Sequence, residues 1–118
     1  VPSWLGGQTA DEVHLGPLCF RHEAKHGSVK GEISGHYHPK ARVKLRGRTL
    51  YCSCFAANGC RLLLPAFGAY TGGLNVLDQV LEPILGRDPI VFALRRGAIH
   101  AVGRRSLKVE PELRPKLL

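Results

Sequence analysis

The sequence predicts an α/β chain of mostly antiparallel or mixed β-strands with one short helix, and three observations carry that reading. ARVKLRGR, residues 41–48, alternates apolar and basic residues with the period of a half-buried strand. Asn58-Gly59 separates two apolar runs, TLYCSCFAA and RLLLPAF, as a tight hairpin turn does. Leu77, Val80, Leu81, Ile84 and Leu85 follow the spacing of one helical face.

EVHL, a Gly16-Pro17 turn and LCFRH form a hairpin, with Val13 and Leu15 alternating on one arm and Leu18 and Phe20 on the other. AKHGSVK is a polar loop, and EIS is a short strand that runs into GHYHP. In ARVKLRGR, Ala41, Val43 and Leu45 face inward; Arg42, Lys44, Arg46 and Arg48 face outward. Pro65 weakens the centre of the second arm of the Asn58-Gly59 hairpin or ends its pairing there. GAYTGGLN is a glycine-rich loop of the kind that carries function, but it lacks the lysine and hydroxyl of a phosphate-cradling P-loop. Pro83 keeps the helix short and Gly86 ends it. PIVFAL and AIHAVG, joined through Arg95-Arg96-Gly97, make a last hairpin, so the domain runs over residues 1–103. RRSLKVEPELRPKLL, residues 104–118, reads as a loose basic tail.

An apolar fraction of 44% supports a core, and no apolar run approaches the roughly 20 residues of a membrane-spanning helix. The opening residues, VPSWLGGQTADE, lack the basic and apolar regions of a signal peptide, so a cytoplasmic chain with reduced thiols is expected. Cys52, Cys54 and Cys60 do not follow the paired knuckles of a zinc ribbon, and Cys52 and Cys54 read as small apolar residues on one strand face. The chain has no methionine, which suggests an internal piece of a longer protein. Of the net charge of +8, the densest part is residues 36–60, with five basic and no acidic side chains. That field favours a phosphate-bearing partner.

The charge begins at two histidines, His36 and His38. In extended chain, residues two apart point to one side, so the pair could flank one metal or serve two neighbouring ones. Gly35 permits a sharp turn before them and Pro39 stiffens the exit. His22 also stands at a strand end, between Arg21 and Glu23. His14 and His100 fall inside strand patterns and His26 in a loop, and these three read as structural or solvated. A phosphoryl-transfer site also needs carboxylates to balance the metals. None lies beside His36 and His38 in the sequence, so the site read here is incomplete.

GEISGHYHPKARVKLRGR, followed by CFAANGCRLLLPAFGAYTGGLNV, resembles the C-terminal half of a calcineurin-like metallophosphoesterase, nearest the bacterial ligase-associated DNA damage response endonucleases. The resemblance spans about residues 10–100. It implies a four-layer α/β/β/α sandwich with a two-metal site, manganese by family, with iron or zinc also suited to the ligands. The family's D-x-H, G-D-x-x-D/H and G-N-H motifs belong to its N-terminal half, and none occurs in this sequence. By resemblance, His22 and His36 would ligate one metal and His38 the other, with His36 and His38 at the catalytic centre. Lys40, Arg42, Lys44, Arg46 and Arg48 could contact a DNA backbone. The implied activity is metal-dependent phosphodiester hydrolysis, on DNA in repair beside ligase or helicase machinery, with the present piece inactive alone. The competing readings are a non-catalytic basic module that binds nucleic acid and a small Cys/His zinc module.

Overall fold

A computed structural model describes residues 10–27, 29–66 and 72–109 of the chain. The expected first hairpin is present as β1 (Glu12–Leu15) and β2 (Leu18–Arg21), and β3 is Glu32–Ser34. β4 (Lys40–Leu45), β5 (Arg48–Ala57) and β6 (Arg61–Leu63) follow. A 3₁₀ turn over Gln79–Leu81 runs into the single short helix, α1 (Glu82–Leu85), with Pro83 in its first turn and Gly86 at its end. β7 (Ile90–Arg95) and β8 (Ala98–Val102) close the last hairpin through Arg96 and Gly97, both at positive φ as a primed two-residue turn requires.

The strands form one mixed sheet in the order β1-β2-β3-β6-β5-β7-β8, and β4 pairs with the first half of β5. β2 pairs with β3, and β3 with β6, in parallel; the other pairings are antiparallel. Hairpin signals are local and reveal nothing about this parallel centre, which joins segments distant in sequence.

One sheet face carries the core. Ser34, Leu63, Ala56 and Val91 are successive cross-strand partners on it, and all are buried. Val76, Leu81, Ile84, Leu85 and Leu107 pack over that face. Val80, expected on the inward helical face, is 58% exposed, because the backbone is a 3₁₀ turn at that point rather than an α-helix. The opposite face is also apolar. Val13, Phe20, Ile33, Leu62, Ala57 and Ile90 form a file of cross-strand partners over six strands. None of the six is buried, and Val13 and Ile90 are 46% and 51% exposed.

Three local expectations change. Asn58-Gly59 does not make a two-residue turn: the Asn58 carbonyl oxygen of the side chain accepts from the backbone N–H groups of Cys60 and Arg61, each at 2.8 Å, closing a three-residue loop. The basic stripe is not continuous, since β4 ends at Leu45 and the chain reverses at Arg46-Gly47. Arg48 therefore lies opposite Leu45 on β5, on the other face from Arg42 and Lys44, and Leu45 is 48% exposed rather than buried. Residues 104–109, expected within the tail, include a 3₁₀ turn at Arg104–Ser106 and a buried Leu107 bridged to Val43 of β4. Leu107 is apolar and falls where β4 leaves an open edge, so burial holds it.

Cys52 and Cys54 are buried on one face of β5, whereas Cys60 is exposed. Burial pushes the Cys54 thiol up to about 12, and the neighbouring Cys52 adds to the shift. At about pH 8 roughly one Cys54 in ten thousand is then a thiolate. A thiol reagent on the native protein is expected to label Cys60 and to spare Cys54 until the chain unfolds. Mass spectrometry of labelled peptides checks this, and native labelling of Cys54 would contradict the packing.

Candidate metal centre at the strand ends

His22 directly follows β2, and His36 lies two residues beyond β3. Since β2 and β3 are adjacent and parallel, both histidines stand at carboxyl ends of neighbouring strands, where open α/β sheets bind ligands. The Gly35 N–H donates to the His22 carbonyl at 2.9 Å and ties the two ends together. His22 Nε2 lies 3.0 Å from His36 Nδ1, and the rings meet edge-on with centroids 4.9 Å apart. The other nitrogen of His36, Nε2, is 3.4 Å from Glu23 Oε1. A carboxylate thus holds a proton on one side of the ring and leaves the lone pair of the opposite nitrogen facing His22. Metal-bound histidines are oriented in the same way.

The backbone is bent to achieve this. The Tyr37 N–H donates to the Gly35 carbonyl at 2.8 Å, with His36 between them at φ 72°. That is a γ-turn in its rare, strained form, and His38 is also left-handed at φ 48°. Tyr37 anchors the bend by packing on the core and meeting the His36 ring edge-on at 5.1 Å. Its phenol is pushed above the usual range, first by burial and then by the charge of Glu23.

His38 is oriented from a third segment. Its Nδ1 lies 3.0 Å from the Gly72 carbonyl oxygen, which can only accept, so the proton sits on Nδ1 and the Nε2 lone pair is available. The segment from Gly72 runs along Tyr37–Lys40: Leu74 N–H donates to the Tyr37 carbonyl at 3.3 Å and Lys40 N–H to the Leu74 carbonyl at 2.8 Å. Gly73 makes that approach feasible, because a Cβ there would come within 1.9 Å of the His38 carbonyl oxygen. These glycines close the GAYTGGLN stretch, of which residues 68–71 lie outside the described residues.

A buried ion pair holds the His22 loop. Glu32 and Arg61 are cross-strand partners on β3 and β6, 1% and 5% exposed, with Arg61 Nε 3.3 Å from Glu32 Oε1. Glu32 Oε2 accepts the Lys25 N–H at 2.9 Å, while Arg61 donates to the carbonyls of Lys25 and, at 2.6 Å, Gly27. Lys25 is thereby gripped through both backbone groups, close behind His22 and Glu23.

His38 has no ring contact or hydrogen bond with His22 or His36 among the described residues. The basic positions divide. Lys40 donates to Ser53 Oγ at 3.0 Å. Arg42 donates to Tyr51 Oη at 3.0 Å and to the Val109 carbonyl at 2.7 Å. Lys44 is exposed on the same face, Arg46 is in the turn, and Arg48 is on the other side. Glu23, Gly72 and Gly73 were missed as parts of the site. Glu23 carried a signal, since it follows a strand-end histidine; the glycines are placed by tertiary approach alone.

No family model matches the chain, and no curated protein matches it. Among solved structures it is similar to Pseudomonas putida nuclease MPE, with a TM-score of 0.62 and 26% identity over 86% of this chain and 46% of that one. The fold is nuclease-like, and the chain spans less than half the length of that structure.

Gly73→Ala is expected to push the 72–76 segment off His38 and to shift the His38 imidazole resonances. Gly59→Ala, where the added methyl group meets open space, should leave those resonances unchanged. Unmoved His38 resonances in Gly73→Ala would show that the glycine contact does not orient the ring.

Proposed function

We propose that this chain supplies the histidine half of a metal-dependent phosphodiesterase centre acting on DNA. The observation that carries the reading is the His22–His36 pair, with facing nitrogens 3.0 Å apart and one ring braced by Glu23. Two donors at that separation suit neighbouring positions on one divalent ion, and the likeness to a nuclease gives the ion a use. His22 Nε2 and His36 Nδ1 would hold one metal and His38 Nε2 a second, with manganese as the ion and iron or zinc also suited. Bound there, the metals would activate water for in-line attack and neutralise charge on the phosphate.

The chain's own residues do the preparatory work. Glu23 keeps the proton on His36 Nε2, and the Gly72 carbonyl keeps it on His38 Nδ1, so both rings face the site as donors. Lys44 offers a charge to a phosphate backbone, while Lys40 and Arg42 reach it only by giving up hydrogen bonds to Ser53 and Tyr51. That engagement weakens the alternative of a purely basic binding module. Bridging carboxylates are still needed, and Glu23 lies on the far side of the His36 ring. We assign them to a complementary half of a longer protein, whose second sheet would cover the apolar file from Val13 to Ile90 and complete a four-layer sandwich. A cytoplasmic DNA-repair setting with ligase or helicase partners rests on the resemblance of GHYHP and LPAFGAYTGG.

In a protein that includes the complementary half, His36→Ala and His38→Ala are expected to reduce manganese-dependent hydrolysis of a chromogenic phosphodiester to background while circular dichroism stays unchanged. The side chains of both sit outside the packed core, so truncation opens no large cavity. His100→Ala, on an exposed strand, should keep full activity. A folded His38→Ala enzyme with undiminished turnover would overturn the two-metal reading.

A further inference from the structure

A second group of ligating atoms lies on the β1–β2 hairpin, away from the strand-end histidines. Glu12 and His14 are two apart on β1, so their side chains share one side of the strand. The partner of His14 across the hairpin is Cys19, and that of Glu12 is Arg21. Four side chains therefore converge at the sheet edge. His14 Nε2 is 3.2 Å from Glu12 Oε2 and 3.8 Å from Cys19 Sγ, and Cys19 Sγ is 4.0 Å from Glu12 Oε2.

The geometry points to a zinc site formed by Glu12 Oε2, His14 Nε2 and Cys19 Sγ. Ordinary zinc–ligand distances put donor atoms about 3.3–3.5 Å apart around a tetrahedral ion. The three separations here lie within about half an ångström of that range, so a small side-chain movement closes them on a metal. The donor set is selective: a thiolate with an imidazole and one carboxylate suits zinc, whereas manganese and magnesium prefer oxygen. Cys19 is only 7% exposed, so its sulfur is fixed by packing and faces the other two ligands.

Arg21 supplies the outer support. Its Nη2 donates to Cys19 Sγ at 3.0 Å and its Nη1 lies 3.2 Å from Glu12 Oε1. The guanidinium therefore occupies the carboxylate oxygen that does not face His14, and it donates to the sulfur. Such partners orient metal ligands elsewhere. Arg21 is in turn placed by Glu32, whose Oε2 is 3.4 Å from Arg21 Nε. With side chains 45% and 66% exposed, Glu12 and His14 leave the fourth position of the ion to solvent. Binding converts the Cys19 thiol to a thiolate and releases its proton, so affinity rises with pH. None of this depends on the phosphodiesterase reading, and no ligand is shared with it.

The test is titration of this chain with cobalt, then zinc. The expected result is one thiolate-bound cobalt per chain, seen as a thiolate-to-metal charge-transfer band in the near ultraviolet that zinc abolishes by displacement. Cys19→Ser should abolish the band, and His14→Ala should weaken zinc binding at least about tenfold. Cys60→Ser and His100→Ala should change neither. His14 is exposed, so His14→Ala keeps the test valid if Cys19→Ser fails to fold. No band in the parent chain, a band that survives Cys19→Ser, or zinc affinity unchanged in His14→Ala would each overturn the site.

Discussion

The ion pair between Glu32 and Arg61 is the constraint from which the strand-end architecture follows. Both groups are buried on the core face of the sheet, where isolated charges are not tolerated. They pair at 3.3 Å, and each also bonds backbone groups of the loop after β2: Glu32 Oε2 accepts from Lys25, and Arg61 donates to the carbonyls of Lys25 and Gly27. That loop joins two adjacent parallel strands through residues 22–31, a connection short for such a crossing. Its described residues form no helix or strand of their own to hold it. The carboxylate and guanidinium replace that missing structure, and removing one partner of such a pair costs about 3–5 kcal/mol because the other is left charged and buried. His22 and Glu23 are placed opposite His36 because the ion pair grips the loop behind them at Lys25 and Gly27.

Orientation around the histidines is divided among three segments. The His22 loop brings one donor and the Glu23 carboxylate, the strained turn after β3 brings His36, and the Gly72–Gly73 backbone turns His38. Strained backbone at His36 and His38 is retained where the surroundings over-determine it, and Tyr37, Pro39 and the Gly73 contact do so here. The same row of charges continues outward, from Arg61 through Glu32 and Arg21 to Glu12, with alternating sign. One network thus reaches from the core to the hairpin edge, and Arg21 couples it to Cys19.

Local pattern made much of this legible. Both outer hairpins, the short helix stopped at Gly86, and the paired burial of Cys52 and Cys54 follow from alternation and turn chemistry near each residue. The parallel centre did not, because nothing in EIS or RLL says which distant strand lies beside it. Asn58 was right for a hairpin by another route, its side chain closing the loop. Lys40, Arg42, Lys44, Arg46 and Arg48 looked like one stripe because alternation was carried through Arg46-Gly47, where the chain reverses. At the site, the histidines stood out by residue type and by their place beside glycine and proline. Glu23 and Gly73 act through contacts that only the folded chain creates. His14 read as structural because its partners, Cys19 and Arg21, lie across a turn.

His22 Nε2 and His36 Nδ1, 3.0 Å apart, are proposed to share one metal. Anomalous scattering from crystals of the protein soaked at saturating manganese tests it most directly. The account predicts a manganese peak within bonding distance of both nitrogens, with Glu23 still against His36 Nε2. A manganese-loaded crystal with no peak there, and the two rings still hydrogen-bonded to each other, would contradict it.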